Sequence, residues 1–330
     1  MMSYKGSSWI IALLNIRGIG RKTAWELVSN VTDPEAVDLE ELINRNKEKL
    51  RTKEFSYNWI VEAEDRRDQI LEQSDDHGIR WTTIIDDDYP SSLKQTTDPP
   101  LVLYYKGNID LLNEKRGVAI IGTRKPTPHG LEIGKRLGTR FAEEDFNVVS
   151  GLAIGCDTAG HEGALAGSGY TTAVLAQPLD KIYPKDNRPL AERILSHNGV
   201  LVSEYAFGSR TGRSAFVERD RIQAGLSMAT VVVETDVKGG TMHTVGFTLD
   251  YNRLLFAYYN SQKQGYHDNT QTKGNQLLIS EEKAIRLSSE EDILNAARMI
   301  RNRMAHQVEA ISQKKSDGNT DSKGQYNLKF

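Results

Sequence analysis

The chain has 330 residues, 38% hydrophobic and 26% charged, with a formal net charge of −3 at pH 7. That is enough apolar material for two or more domains, and the near-neutral balance excludes a protein that gathers polyanions by its overall charge. The single cysteine, Cys156, excludes an intrachain disulfide framework and a cysteine-cluster metal site; no apolar run approaches the ~20 residues needed to cross a bilayer.

Residues 8–30, SWIIALLNIRGIGRKTAWELVSN, read as two short helices joined by Gly18-Ile19-Gly20. Such a hairpin has two uses. It can be purely structural, or its turn amides and the following Arg21 and Lys22 can hold a nucleic-acid backbone as a helix-hairpin-helix, giving Gly18, Gly20, Arg21 and Lys22 as a secondary contact. Residues 33–76 are charged with a helical rhythm, and Trp59, Ile60, Ala63, Ile70 and Leu71 fall on the inward positions. Residues 1–76 are therefore expected to form a small helical domain. The N-terminus carries no signal-peptide cleavage pattern, which places the chain in the cytoplasm.

An entry segment, 77–114, follows with strands near Arg80–Ile85 and Leu101–Lys106 around a Pro-rich turn region. Its Asp86-Asp87-Asp88 run lacks the Gly and the bidentate Glu of a calcium loop and reads as a solvated turn. Val118–Ile121 then run unbroken into Gly122, Thr123 and Arg124, and Leu131, Lys135 and Gly138 keep helical spacing. This is a buried parallel strand turning into a helix, a geometry whose amides suit an anion. Between Lys115 and Arg140 seven cations oppose Glu132 alone.

Further apolar strands at 147–150, 171–176, 200–204, 230–234 and 253–259 alternate with helical stretches. The alternation predicts an α/β fold, a doubly wound, mainly parallel Rossmann-like sheet, over residues 77–305. Ligands of such sheets bind beyond the carboxyl ends of the strands. The segments after the strands carry Gly122, Thr123, Arg124 and Lys125, then Ser150 and Gly151, then QPLDKIYPKDNR, then GSRTGRSAFVERDR, then Glu234 and KGGTMHT. Glycines and cations thus converge on one edge as an anion-binding crevice. Cys156 reads as a small side chain packed in a Gly-rich loop. Asp157, His161 and Glu234 offer acid–base groups, although their spacing does not demand that chemistry. A short strand near Lys283–Leu287 and a helix capped by Ser288 or Ser289 close the fold. Residues 306–330 are polar and expected to be a disordered tail.

Several segments in fixed order, VAIIGTRKPTPHG, VVSGLAIGCDTAGHEGAL, AVLAQPLDKIYPKDNRPLAERI, DRIQAGLSMATVVVET and GNQLLISEEKAIRLSSEEDIL, resemble the DNA-processing protein DprA (Smf) family. The resemblance spans roughly residues 8–298. It implies a homodimeric, non-enzymatic protein without a cofactor or metal, which binds single-stranded DNA and helps load a RecA-type recombinase. By position it makes Arg124 the principal phosphate contact, with Gly122 and Thr123 shaping its turn. Lys185 falls at the family's basic position after Tyr-Pro, and Arg219 and Arg221 in its Arg-Asn-Arg stretch. Ser150, Gly151, Gly239, Gly240 and Thr241 would line the crevice. Asp220 stands where the family has Asn and Glu218 where a cation is common, so negative charge enters beside the phosphate path. The alternative is a nucleotide sensor or nucleotide-processing enzyme, of which Lys238-Gly239-Gly240-Thr241 is a partial echo.

Overall fold

The computed structural model describes residues 6–31, 33, 37–50, 55–262, 266 and 269–316, with the side chains of the last helix described as far as Arg303. Nine strands among these residues form one sheet: β1 (Arg80–Thr83), β2 (Val102–Gly107), β3 (Gly117–Ile121), β4 (Asn147–Ser150), β5 (Thr171–Leu175), β6 (Val200–Ser203), β7 (Ala229–Val232), β8 (Leu254–Tyr258) and β9 (Ile285–Leu287). Their order is β1-β2-β6-β5-β4-β3-β7-β8-β9. Strand β2 runs antiparallel to both β1 and β6, and every other pairing is parallel.

The five residues of β3 are all buried, as expected of a strand covered by helices on both faces. Val118 pairs with Val148 of β4 on one side and with Ala229 of β7 on the other. From β3 the chain winds outward through β4, β5 and β6, then returns to β7 and winds the opposite way. The reversal lies between β4, β3 and β7, and a crevice opens at the carboxyl ends of strands at such a point.

Local chemistry fixes the helix after β3, Pro128–Glu143. Thr127 caps it by accepting from the Gly130 amide, and Pro128 opens it. Its inward face is Ile133, Leu137 and Phe141. Leu131, Lys135 and Gly138, which keep helical spacing in the sequence, all lie in this helix, with Leu131 facing solvent. The seven cations of this region do not form one field either: Lys115 pairs with Asp145 at 2.6 Å, and Arg140 pairs with Glu143 at 2.6 Å and also with Glu290.

Helices Trp9–Asn15, Arg21–Val28, Leu39–Arg45 and Asn58–Asp76 make up the N-terminal part. Ile60, Ala63, Ile70 and Leu71 are buried there, with Trp59 packed at the edge. These apolar side chains form one continuous cluster with Leu103, Val174 and Leu201 of the sheet. At the far end the last helix runs from Glu290 to Ser316. It occupies the first part of the stretch expected to be a disordered tail; residues 317–330 lie outside the described residues. Among the described residues, no helix is long and apolar enough to cross a membrane.

Candidate nucleic-acid interface

Three adjoining clefts run along the carboxyl ends of the strands, and Phe216 lines all of them. Phe216 sits in the first turn of the helix Ser214–Gly225. The inner cleft, about 380 Å³, is bounded by the loop after β3, the helix bearing Phe216, and the segment opening the helix Thr241–Asp250. A narrow middle cleft joins it to an outer one of about 900 Å³, lined by Tyr183, Lys185 and Arg213 among others. Together they form one groove.

Arg124 occupies the middle of this groove. It lines the inner and middle clefts, is exposed, and lays its guanidinium over the Phe216 ring with Cζ 4.9 Å from the centroid. This cation–π contact holds the side chain in place while leaving its charge open to solvent. Tyr183, 56% exposed, meets Phe216 edge-on with centroids 6.3 Å apart. The outer cleft gathers Lys181, Lys185, Arg188 and Arg213 against Asp180 alone, so the surplus of positive charge lies there. Lys181 and Arg188 come from the segment after β5 and Arg213 from the segment after β6, so two stretches already placed at this edge supply cations that were not singled out individually.

Gly122, Thr123, Gly239, Gly240 and Thr241 line the inner cleft and Gly151 the middle one, as the residue pattern predicts. A Cβ at Gly151 would overlap the Arg219 guanidinium, so only glycine allows that close approach. Yet the amides expected to cradle an anion are largely engaged within the protein. Thr123 donates to the Glu234 carbonyl at 2.8 Å and Gly239 to the Asp236 carbonyl at 3.0 Å. Gly151 and Ala153 donate to the Asp157 carboxylate at 3.1 and 3.4 Å. The polar groups that the groove leaves open are therefore mainly side chains.

Four expectations need correction. The Ser150 hydroxyl donates to the Ile120 carbonyl at 2.7 Å and is buried in the sheet. Lys125 is exposed but lies outside the lining of the three clefts. Arg221 turns to the opposite side of its helix, 2% exposed, where it donates to both Glu204 oxygens at 2.7 Å and approaches Asp98 at 3.3 Å. Arg219 does line the groove, but as its floor: it donates to the Val174 carbonyl at 3.0 Å and lies between Asp220 at 3.3 Å and Asp157 at 4.0 Å.

The helical hairpin differs from its DNA-contact reading too. Gly18 takes a left-handed φ of 84° to make the turn and Gly20 caps the second helix. Arg21, however, donates to Asp98 at 2.6 Å and lies 3.6 Å from Glu204. With Lys22 it borders a cleft that also presents Asp98, Glu218 and Asp250, an acidic setting that repels phosphate. Glu218 accepts from the Tyr205 hydroxyl at 2.9 Å on this same side, so it does not intrude on the groove.

Asp220 does intrude. Burial pushes its pKa up to about 7, with Arg219 opposing the rise and Asp157 adding to it. It is thus neutral below that pH and an anion above it. Among the acid–base candidates, Glu234 accepts from the Thr127 amide at 2.8 Å and hydroxyl at 2.6 Å, at the start of the helix Pro128–Glu143. Buried His161 donates from Nδ1 to the Thr171 hydroxyl, whose own proton goes to the Val148 carbonyl, and burial pulls its pKa down to about 3. Burial also pushes the Cys156 thiol up, out of reach of thiolate chemistry.

The sheet order and this groove define a Rossmann-like protein with a basic, aromatic-lined channel across its topological switch point. The sequence profile of the DNA recombination-mediator protein A family matches residues 80–298, and the chain belongs to that family. Protein Smf of Synechocystis is 40% identical over 196 residues, 58% of this chain and 49% of that protein. DNA processing protein DprA of Bacillus subtilis is 34% identical over 189 residues, 57% of this chain and 63% of that protein. The chain thus spans about half to two thirds of the length of these relatives. Among solved structures, DNA processing protein A from Streptococcus pneumoniae superposes with a TM-score of 0.72 at 28% identity, covering 89% of this chain and 98% of that one. DNA processing protein A from Helicobacter pylori, studied for its single-stranded DNA binding mode, gives a TM-score of 0.58 at 27% identity, covering 68% and 97%.

Proposed function

We propose that this protein binds single-stranded DNA along the groove, in the cytoplasm and without catalysing a reaction, as a homodimer that hands the strand to a RecA-type recombinase. The observation that carries the reading is the alignment of Arg124, Phe216 and Tyr183 with the outer-cleft cations along one open path. Phosphates would follow Arg124, Lys185, Arg188 and Arg213, while bases stack on the two rings, a combination that holds a strand with little dependence on sequence. Binding rather than catalysis is supported by Asp157, His161 and Glu234, each already engaged inside the fold.

Phe216→Ala tests the stacking part. Strand affinity should fall about tenfold while the slope of affinity against salt stays as in the wild type, because base stacking on a ring contributes ~1–3 kcal/mol without neutralising a phosphate. Fluorescence anisotropy over a salt series measures both quantities; an unchanged affinity would remove the ring from the path.

Asp220 gives the groove a pH dependence. Its ionised form lowers the field at Arg124, so affinity for a thymidine homopolymer should fall about threefold between ~pH 6 and ~pH 8. In Asp220→Asn the two values should coincide. A variant retaining the wild-type pH profile would assign the titration to another group.

A further inference from the structure

The turn that carries Arg124 stands on two feet. At one end the Thr123 amide donates to the Glu234 carbonyl at 2.8 Å; at the other the Thr127 amide and hydroxyl donate to the Glu234 carboxylate at 2.8 and 2.6 Å. Arg124, Lys125 and Pro126 span the gap between them. One residue just beyond the end of β7 thus holds both ends of the segment that brings the central cation to the groove. Glu234 is itself 0% exposed and lines none of the three clefts.

The sequence leaves room for this arrangement. A Cβ at Gly130 would come within 2.4 Å of the Glu234 carboxylate, and one at Gly122 within 2.9 Å of its carbonyl oxygen and 2.5 Å of the Cys156 Sγ. Both glycines of VAIIGTRKPTPHG therefore give Glu234 its place beside the turn. The amino end of the helix Pro128–Glu143 favours a negative charge there, and the two carboxylate oxygens match the two Thr127 donors. Glutamine has the same shape but a single acceptor oxygen, so one of those donors would face an NH2 group instead. The Phe216 ring fixes the far end of the Arg124 side chain, and Glu234 fixes the backbone from which it starts.

Resting on the strand-binding reading above, we propose that Glu234 is a positioning residue for phosphate binding: it sets the place from which Arg124 reaches the strand without meeting the strand itself. The direction of the effect separates a brace from a purely electrostatic role. Removing a carboxylate near the groove raises the positive field, which on its own would tighten the hold on phosphate. Loss of the brace acts the other way, since a displaced guanidinium no longer meets a phosphate at hydrogen-bond distance.

The test is a double-mutant cycle, measured by anisotropy on the full chain with a thymidine strand over a salt series. Glu234→Gln should bind about fivefold more weakly than the wild type, with the salt slope lowered towards that of Arg124→Ala. In the Arg124→Ala background the same substitution should change affinity by less than about twofold. Thr127 supplies a second variant that leaves Glu234 in place. Thr127→Val removes the hydroxyl donor and should show the same weakening and the same dependence on Arg124, whereas Thr127→Ser, which keeps it, should bind as the wild type does. A folded Glu234→Gln or Thr127→Val chain that binds as tightly as the wild type, or more tightly, overturns the proposal. So does a loss of equal size with and without Arg124, which would make Glu234 a support of the fold in general. If Glu234→Gln does not fold, the Thr127 pair decides alone. If Arg124→Ala leaves strand binding intact, the failure belongs to the strand-binding reading; if that variant loses binding while Glu234→Gln does not, only the brace fails.

Discussion

Arg124→Ala should bind single-stranded DNA at least tenfold more weakly than the wild type, with the slope of log affinity against log salt reduced by about 0.7, the share of one phosphate contact on a single strand. The size follows from position. Arg124 lies in the middle of the groove, and Phe216 beneath it fixes a side chain that would otherwise lose rotamer freedom on binding. Of the two arginines at the inner cleft it alone is not flanked by carboxylates, since Arg219 already faces Asp157 and Asp220. The exposed side chain supports no core contact, so the variant should keep the wild-type Tm. A folded variant with an unchanged salt slope would remove Arg124 from the phosphate path.

Arg221 should behave in the opposite way. Arg221→Met removes the cation that holds Glu204 and Asp98 at the junction between the helix Ser214–Gly225 and the N-terminal helices. Breaking a buried ion pair by deleting one partner costs stability, and because Arg21 still faces both carboxylates and Asp98 keeps 39% of its side chain exposed the expected loss is reduced to about 2 kcal/mol. Denaturant unfolding measures this, and adding Glu204→Gln in the same chain should recover part of it by removing the carboxylate that has lost its closer partner. The salt slope of strand binding should stay that of the wild type. A stable Arg221→Met chain with a reduced slope would mean that Arg221 contacts phosphate after all.

The contrast between these arginines marks where sequence reasoning stops. The fold was legible because parallel strands buried on both faces, such as Val118–Ile121 and Asn147–Ser150, appear as short apolar runs ending in glycine or hydroxyl residues. The loop tips were legible for the same reason. Side-chain direction was not. Arg219 and Arg221 look alike in a motif, yet two positions along a helix is more than half a turn, so the two cannot face the same way. That periodicity was available in the sequence and separates the groove from the acidic junction. Ser150 was misplaced by the alternation of a strand, which sends its hydroxyl to the Ile120 carbonyl rather than to the crevice.

Long-range partners left no local trace. Asp157 holds the Gly151 and Ala153 amides only because the helix after β4 folds back on its own loop. Arg21 and Asp98 are 77 positions apart in the chain, and their pairing turns a basic helical hairpin from a candidate DNA contact into part of a charged junction. The outer-cleft cations Lys181, Arg188 and Arg213 come together only when the loops after β5 and β6 meet. Phe207 packs on His77 with centroids 4.6 Å apart, whereas Phe216 and Tyr183 open to the groove.

The path of the strand is the central claim, and photo-crosslinking tests it most directly. A thymidine strand carrying 4-thiothymidine, irradiated with the full chain and digested for mass spectrometry, should attach to peptides containing Tyr183 and Phe216. Attachment confined to the helical hairpin around Gly18–Lys22, with none on either ring, would contradict it.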